Sequence, residues 1–169
     1  IAYVRKGSLV PMNYHFTTAM AHITDKGGQI AELLYDEAYV VNSDHPFKGN
    51  MDVSKLEKLI EEHGKENVAA VILTVTNNSG GGQPVSMQNA IAVSQICKKH
   101  QILFVLDMCR IAENAYFIHL REKGYENVSF KAIAQQMCAL SDACIMSAKK
   151  DALVNMGGFL ALRDHKLAA

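Results

Sequence analysis

The chain has 169 residues, the length of one domain with a core of its own. Hydrophobic residues make up 49% of it, which argues against a disordered chain. Its 17 basic and 17 acidic side chains balance, which argues against a nucleic acid or an acidic membrane surface as the main partner.

Residues 1–27 show no clear periodicity. They hold Pro11 and a polar-aromatic cluster, Asn13-Tyr14-His15-Phe16-Thr17-Thr18, and are predicted to be irregular. Gln29 to Tyr35 and Ala38 to Val41 are predicted strands, separated by Asp36-Glu37. The segment from Asn42 to Asn50, with Asp44, Pro46 and Gly49, is a predicted loop. Asp52 is placed to cap a helix whose apolar positions Val53, Leu56, Leu59 and Ile60 share a face and which ends near Gly64.

Val68 to Val75 is a continuous apolar, β-branched run, the pattern of a strand buried on both faces in a parallel sheet. It leaves through Thr76-Asn77-Asn78-Ser79-Gly80-Gly81-Gly82-Gln83-Pro84. Ser86 caps a predicted helix to about His100. Ile102 to Leu106 is the next strand and leaves through Asp107-Met108-Cys109-Arg110. A helix from about Ala112 to Lys123 ends at Gly124. Ser129 caps another, with Ile133, Met137 and Leu140 facing inward. Ala143-Cys144-Ile145-Met146 is a short buried strand leading into Ser147-Ala148-Lys149-Lys150-Asp151, and Gly157 to Leu162 is the last strand.

Strands alternating with helices imply an α/β fold, a mostly parallel open sheet with flanking helices. Ligands of such sheets gather at the carboxyl ends of strands. Three polar clusters occupy those ends: Asn78 with the glycines, Asp107 with Arg110, and Ser147 with Lys149 and Lys150. Each also has a plainer reading. The lysine pair could form a solvated turn. The Gly80–Gly82 run lacks dinucleotide-fingerprint and P-loop spacing, and is either a flexible turn or a place where backbone approaches a flat ligand. Asp107 is a helix cap or the partner of a protonated ring nitrogen. Arg110 either pairs with Asp107 or Glu113, or offers its forked donors to an oxygen anion. Phe16 is a core residue or a site wall.

The seven histidines give no metal-ligand spacing, and His63 and His100 read as exposed helix ends. Cys97, Cys109, Cys138 and Cys144 have no CxxC spacing and read as reduced core cysteines of a cytoplasmic protein. No signal peptide and no membrane-spanning run is visible. The chain opens on Ile1 and is expected to be part of something longer.

Gly81-Gly82-Gln83-Pro84-Val85-Ser86-Met87, Asp107-x-x-Arg110, Glu113-Asn114-Ala115-Tyr116-Phe117-Ile118 and Ser147-Ala148-Lys149-Lys150-Asp151 together resemble the aromatic amino-acid β-eliminating lyases, the family of tryptophanase and tyrosine phenol-lyase. The resemblance extends to Phe47-Lys48-Gly49 and Asn155-Met156-Gly157-Gly158-Phe159-Leu160 and so covers essentially the whole chain. It implies a pyridoxal-phosphate enzyme of the aspartate aminotransferase fold (fold type I), potassium-activated and assembled as a homo-oligomer, a dimer or tetramer. Residues 1–169 then correspond to the large cofactor-binding domain, with an N-terminal segment and a C-terminal small domain lying outside them. The implied reaction is β-elimination of an aromatic amino acid. Tryptophan is preferred from Ser147–Asp151 and the Asn78-Ser79 neighbourhood, with indole, pyruvate and ammonia as products. Tyrosine is the alternative, towards which Asn155–Phe159 leans.

Position by position, Lys150 resembles the lysine that joins the cofactor, and Lys149 its charged neighbour near the cofactor and cation site. Ser147 resembles a phosphate ligand and Asp107 the partner of the pyridine nitrogen. Asn78 and Arg110 resemble the pair at the ring oxygen, and Phe16 the aromatic that stacks on the ring. Thr17, beside Phe16, joins Lys150 as a catalytic position. Asn155 resembles a residue lending a backbone oxygen to the monovalent cation. Two places depart from the pattern. Ala19-Met20 stands where many members have Thr-Arg, and Asp107-Met108-Cys109-Arg110 where many have Asp-Ala-Thr-Arg. The family's glycine-rich phosphate loop, catalytic tyrosine and carboxylate-binding arginine have no counterpart in these residues, so the chain alone is expected to have weak or no catalysis. Two further readings are a non-catalytic domain that keeps the fold, and other pyridoxal-phosphate chemistry on the same scaffold.

Overall fold

The computed structural model describes residues 3–168. Six strands form one sheet: β1 Leu9–Met12, β2 Gln29–Glu32, β3 Val71–Thr74, β4 Phe104–Asp107, β5 Ala143–Ser147 and β6 Gly158–Leu162, in the order β2-β1-β3-β4-β5-β6. The first five run parallel, and β6 returns antiparallel to β5 at the edge. Five helices connect them: α1 Thr17–Asp25, α2 Val53–His63, α3 Met87–His100, α4 Ile111–Arg121 and α5 Phe130–Leu140.

Alternation along β3 divides the core. Val71 and Leu73 point into a large cluster with Leu56 and Ile60 of α2, Val93 of α3, Ile118 of α4 and Ile133 of α5. Ile72 points to the other face, where Val10, Met12 and Ile23 of α1 make a smaller cluster. Four helices therefore cover one face of the sheet, and α1 covers part of the other. Beyond it, Phe159 and Leu160 of β6 are 50% and 60% exposed, so this edge strand is bare apolar surface.

Three helix starts form as their sequences predict. The Asp52 side chain accepts from the Ser54 and Lys55 amides, Ser86 from Asn89, and Ser129 from Ala132. A fourth bond is not local: the Glu122 carboxylate, at the end of α4, accepts from the Met87 and Gln88 amides at 2.7 and 2.9 Å. It thereby neutralises the open amino end of α3.

The structure corrects four expectations. Residues 1–27 are not irregular, for they contain β1 and α1. Pro11 disguises β1, since proline is rare in an interior strand. Its missing N–H falls on the β3 side, the side to which Leu9 presents its carbonyl to the Ala69 amide, and only Met12 of β1 is in register with β3, opposite Ile72. Ala38 to Val41 is no strand: Asp36–Tyr39 is a 3-10 turn, and Tyr39, Val40 and Val41 are exposed. The preceding strand is shorter than expected, ending at Glu32. His100 is half-buried rather than exposed, because the end of α3 packs near Glu57 of α2.

Candidate active site

The carboxyl ends of β1, β3, β4 and β5 open on one small cavity. It is lined by Phe16, Thr74, Val75, Asn77, Asn78, Asp107, Cys109, Arg110 and Lys150. Five of the residues singled out from sequence thus meet there: Phe16, Asn78, Asp107, Arg110 and Lys150. Ser147 joins them indirectly, because its hydroxyl accepts from the Lys150 Nζ at 3.0 Å. The same amine lies 5.7 Å from the centre of the Phe16 ring, within cation–π reach. Thr17, the exposed first residue of α1, does not line the cavity. Lys149 points to solvent beside it, and Asn155 lies exposed in the loop before β6.

Each wall is held by contacts across the sheet. Asn13, buried at the end of β1, uses its side chain where the backbone ladder is thin. Its Nδ2 donates to the Thr74 and Gly49 carbonyls, each at 2.8 Å, and its Oδ1 accepts from the Thr74 amide at 2.9 Å. Asn77 Nδ2 donates to the Tyr14 carbonyl at 2.8 Å. Together these two carboxamides fix the segment that carries Phe16 against the end of β3. Gly49 is a glycine for a steric reason: a β-carbon there would run into the carbonyl oxygens of Gln83 and Pro84.

Arg110 is held by two neighbours, one of them the Glu113 named from sequence. Its Nη1 donates to Asn78 Oδ1 at 3.0 Å, while its Nε lies 3.7 Å from Glu113 Oε2. Its carbonyl accepts from the Thr76 hydroxyl at 2.9 Å. Thr76 is fully buried at φ 43°, a left-handed conformation that a β-branched side chain rarely takes. Such strain costs on the order of 1–3 kcal/mol and persists where surrounding contacts over-determine it. The Gly80–Gly82 run, by contrast, stays off the cavity. Gly81 and Gly82 have φ of 75° and 69°, and nothing lies within 4 Å of where their β-carbons would stand. They serve the turn after Asn78, and none of the three glycines lines the cavity.

The loop after β4 and the loop after β5 are tied together. The Ser147 amide donates to Cys109 Sγ at 3.1 Å. The Asp151 carboxylate accepts from the Ala112 amide at 2.6 Å, capping α4 from outside the helix. Burial, with the Asp107 carboxylate adding to it, pushes the Cys109 thiol up to about 11, so it faces the cavity as a neutral thiol.

Sequence reasoning passed over Asn13, Thr74, Asn77, Cys109 and Asp151 in this site. Asn77 and Cys109 stood beside residues already chosen, and a stricter use of the strand-end rule would have included them. Asn13 stands in the polar-aromatic cluster around Phe16, but its bonds to Thr74 and Gly49 give no local signal, because the strand it ends is itself hidden.

The chain matches the beta-eliminating lyase family model over residues 4–169. It belongs to that family. A tyrosine phenol-lyase from Clostridium tetani (strain Massachusetts / E88) is 50% identical over 164 residues, 97% of this chain. A tryptophanase from Hyphomonas neptunium (strain ATCC 15444) is 46% identical over 164 residues, again 97% of this chain. The chain spans only 36% of the length of either relative. Among solved structures, cystalysin from Treponema denticola, which contains a pyridoxal 5'-phosphate cofactor, is similar with a TM-score of 0.62 at 18% identity. That match covers 98% of this chain and 38% of cystalysin. The likeness establishes the fold, that of the fold-type-I pyridoxal-phosphate enzymes.

The residues at the strand ends suit pyridoxal phosphate in chemistry. One amine, one carboxylate, one guanidinium and one aromatic face converge, and Thr74, whose buried hydroxyl has no hydrogen-bond partner among the described residues, lies among them. Asp107 makes no salt bridge among the described residues, which leaves its charge for a ligand. With Lys150 folded onto Ser147, the enclosed space is about 20 Å³, room for a water and not for a ring.

Proposed function

We propose that this chain is the cofactor-bearing core of a pyridoxal-phosphate lyase that cleaves an aromatic amino acid, with water, into the free arene, pyruvate and ammonia. The observation that carries the reading is the convergence of Lys150, Asp107, Arg110, Asn78 and Phe16 on one cavity at the carboxyl ends of the strands. When bound, the cofactor supplies an electron sink for charge developing at the substrate α-carbon.

The chain's own residues supply the rest. The Lys150 amine is the attachment point and, once free, the base that takes the α-proton. Ser147, 3.0 Å from that amine, offers a hydroxyl to the cofactor phosphate when Lys150 moves away. The Asp107 carboxylate keeps a proton on the ring nitrogen. Arg110, braced by Asn78, donates to the ring oxygen. Phe16 covers one ring face and excludes water from it. Thr17 and Lys149 stand just outside this constellation, and their roles belong to the assembled holoenzyme. A potassium requirement met partly by the Asn155 carbonyl, and assembly into a dimer or tetramer, are parts of the same reading. The bare apolar side chains of Leu153, Met156, Phe159 and Leu160 fit a chain that more protein covers.

Tryptophan is the substrate preferred from Ser147–Asp151. A second reading, tyrosine, is favoured by the 50% identical tyrosine phenol-lyase and by Asn155–Phe159. The full-length gene product, loaded with pyridoxal phosphate, is to be given each amino acid in turn. Indole with equimolar pyruvate and ammonia supports the first and phenol the second. A loaded protein that releases pyruvate from neither overturns the proposal.

A further inference from the structure

A cleft at the amino end of β5, the end away from the candidate active site, holds chemistry that the proposed reaction does not use. It has a volume of about 250 Å³ and is lined by Cys138, Ser141, Asp142, Ala143, Cys144, Ala161, Leu162 and Arg163. Two of its walls are thiols. Cys138 lies in the last turn of α5 and Cys144 is the second residue of β5, so a short turn brings both thiols to the wall of one cleft. We propose that Cys138 and Cys144 form a redox-active dithiol, with Cys144 as the nucleophile and Cys138 as the resolving thiol, which a hydroperoxide converts into an intramolecular disulfide.

Three features single out Cys144. The Ser141 hydroxyl lies 3.3 Å from its sulfur. Arg163 is clamped over the same turn, its Nε and Nη2 donating to the Ser141 carbonyl at 3.1 and 3.0 Å, so a fixed positive charge stands beside the thiol. Cys138 lines the same cleft as a second thiol. The Cys138 thiol, then the Ser141 hydroxyl and the Arg163 charge, outweigh burial and lower Cys144, while Cys138 is raised. A thiolate flanked by a protonated thiol is the pairing that oxidises selectively. The other two cysteines are unlike it: burial pushes Cys97 up to about 12 and Cys109 up to about 11.

The chemistry balances with one equivalent of hydroperoxide. The Cys144 thiolate attacks the terminal peroxide oxygen, the O–O bond breaks, and the leaving alkoxide is protonated to the alcohol. Cys144 is then a sulfenic acid. The Cys138 sulfur displaces its hydroxyl, which leaves as water with the Cys138 proton. Two thiols and one hydroperoxide give one disulfide, one alcohol and one water, the sulfurs being oxidised and the peroxide reduced. Cys138 Sγ also touches Met108 Sδ at 3.8 Å, so the pair lies one contact from the loop that follows Asp107.

The test uses the full-length, reduced protein and hydrogen peroxide near neutral pH, with free thiols alkylated after denaturation and peptides mapped without reductant. The expected product is a Cys138–Cys144 cross-link with Cys97 and Cys109 still alkylatable. In Cys138→Ser, peroxide should leave a sulfenic acid on Cys144 that dimedone traps; in Cys144→Ser, Cys138 should stay free. Iodoacetamide kinetics on the unaltered protein give a check independent of variant folding: Cys144 should react roughly tenfold faster or more than Cys97. Oxidation of Cys97 or Cys109 ahead of Cys144, no dimedone adduct in Cys138→Ser, or a Cys144 no faster than Cys97 with iodoacetamide would overturn the proposal.

Discussion

Asp151 accepts a hydrogen bond from the backbone amide of Ala112 at 2.6 Å, across 39 residues of chain. It is the residue after Lys150, and Ala112 is the second residue after Arg110. One carboxylate therefore sets the spacing between the cavity's amine and its guanidinium, and it caps a helix whose own N-cap, Arg110, makes no side-chain capping bond. Asp151→Ala is expected to cost about 1 kcal/mol of stability as a lost cap. It should also lower kcat of the full-length enzyme by up to about 100-fold through misplacement of Lys150. Asp151→Asn, which keeps an acceptor oxygen, should recover much of both. Steady-state kinetics and urea unfolding of the two variants check this, and full activity in Asp151→Ala would contradict it.

Asn13 makes three hydrogen bonds that join the end of β1 to the end of β3 and to Gly49. Asn13→Ala strands the amide and carbonyl of Thr74 in the core and should destabilise the fold by about 2–4 kcal/mol. Asn13→Asp should do nearly as badly, since a carboxylate cannot donate to two carbonyls. Equilibrium unfolding in urea measures both. A loss within about 0.5 kcal/mol would mean that the backbone ladder alone holds β1 in place.

These two residues mark the boundary of what the sequence made legible. The apolar runs of β3, β4 and β5 and the capping residues Asp52, Ser86 and Ser129 are local signals, read within a few residues of themselves. Once the strands were placed, the strand-end rule was enough to bring Asn78, Asp107 and Lys150 together. The contacts of Asn13, Glu122 and Asp151 run 34 to 61 residues along the chain, and no periodicity announces them. Pro11 concealed β1 because proline is rare in an interior strand, and it is tolerated there because its missing N–H falls on one side only. Ala38 to Val41 misled because β-branched residues were read as a strand where no partner strand was available to pair with them.

Alkaline pH should weaken the fold through Cys97. Burial, with the Asp142 carboxylate adding to it, raises this thiol to about 12 in the folded chain. Unfolded, it ionises near its ordinary value of about 8.5. The folded form therefore holds its proton where the unfolded form releases it. The stability from this group is fully present below about pH 8.5 and declines by up to about 1.4 kcal/mol per pH unit as pH rises towards the folded value. Urea midpoints between pH 8 and 10 should fall less steeply in Cys97→Ala than in the parent. Parallel slopes would show that Cys97 does not ionise on unfolding.

The central claim is that Lys150, and not its neighbour Lys149, is the point of attachment at the convergence of the strand ends. The most direct measurement is borohydride reduction of the full-length gene product in the presence of pyridoxal phosphate, followed by peptide mapping of the phosphopyridoxyl group. The account expects the label on Lys150 and its loss in Lys150→Ala, with Lys149→Ala still labelled. A label on Lys149, or none on the loop that follows β5, would contradict it.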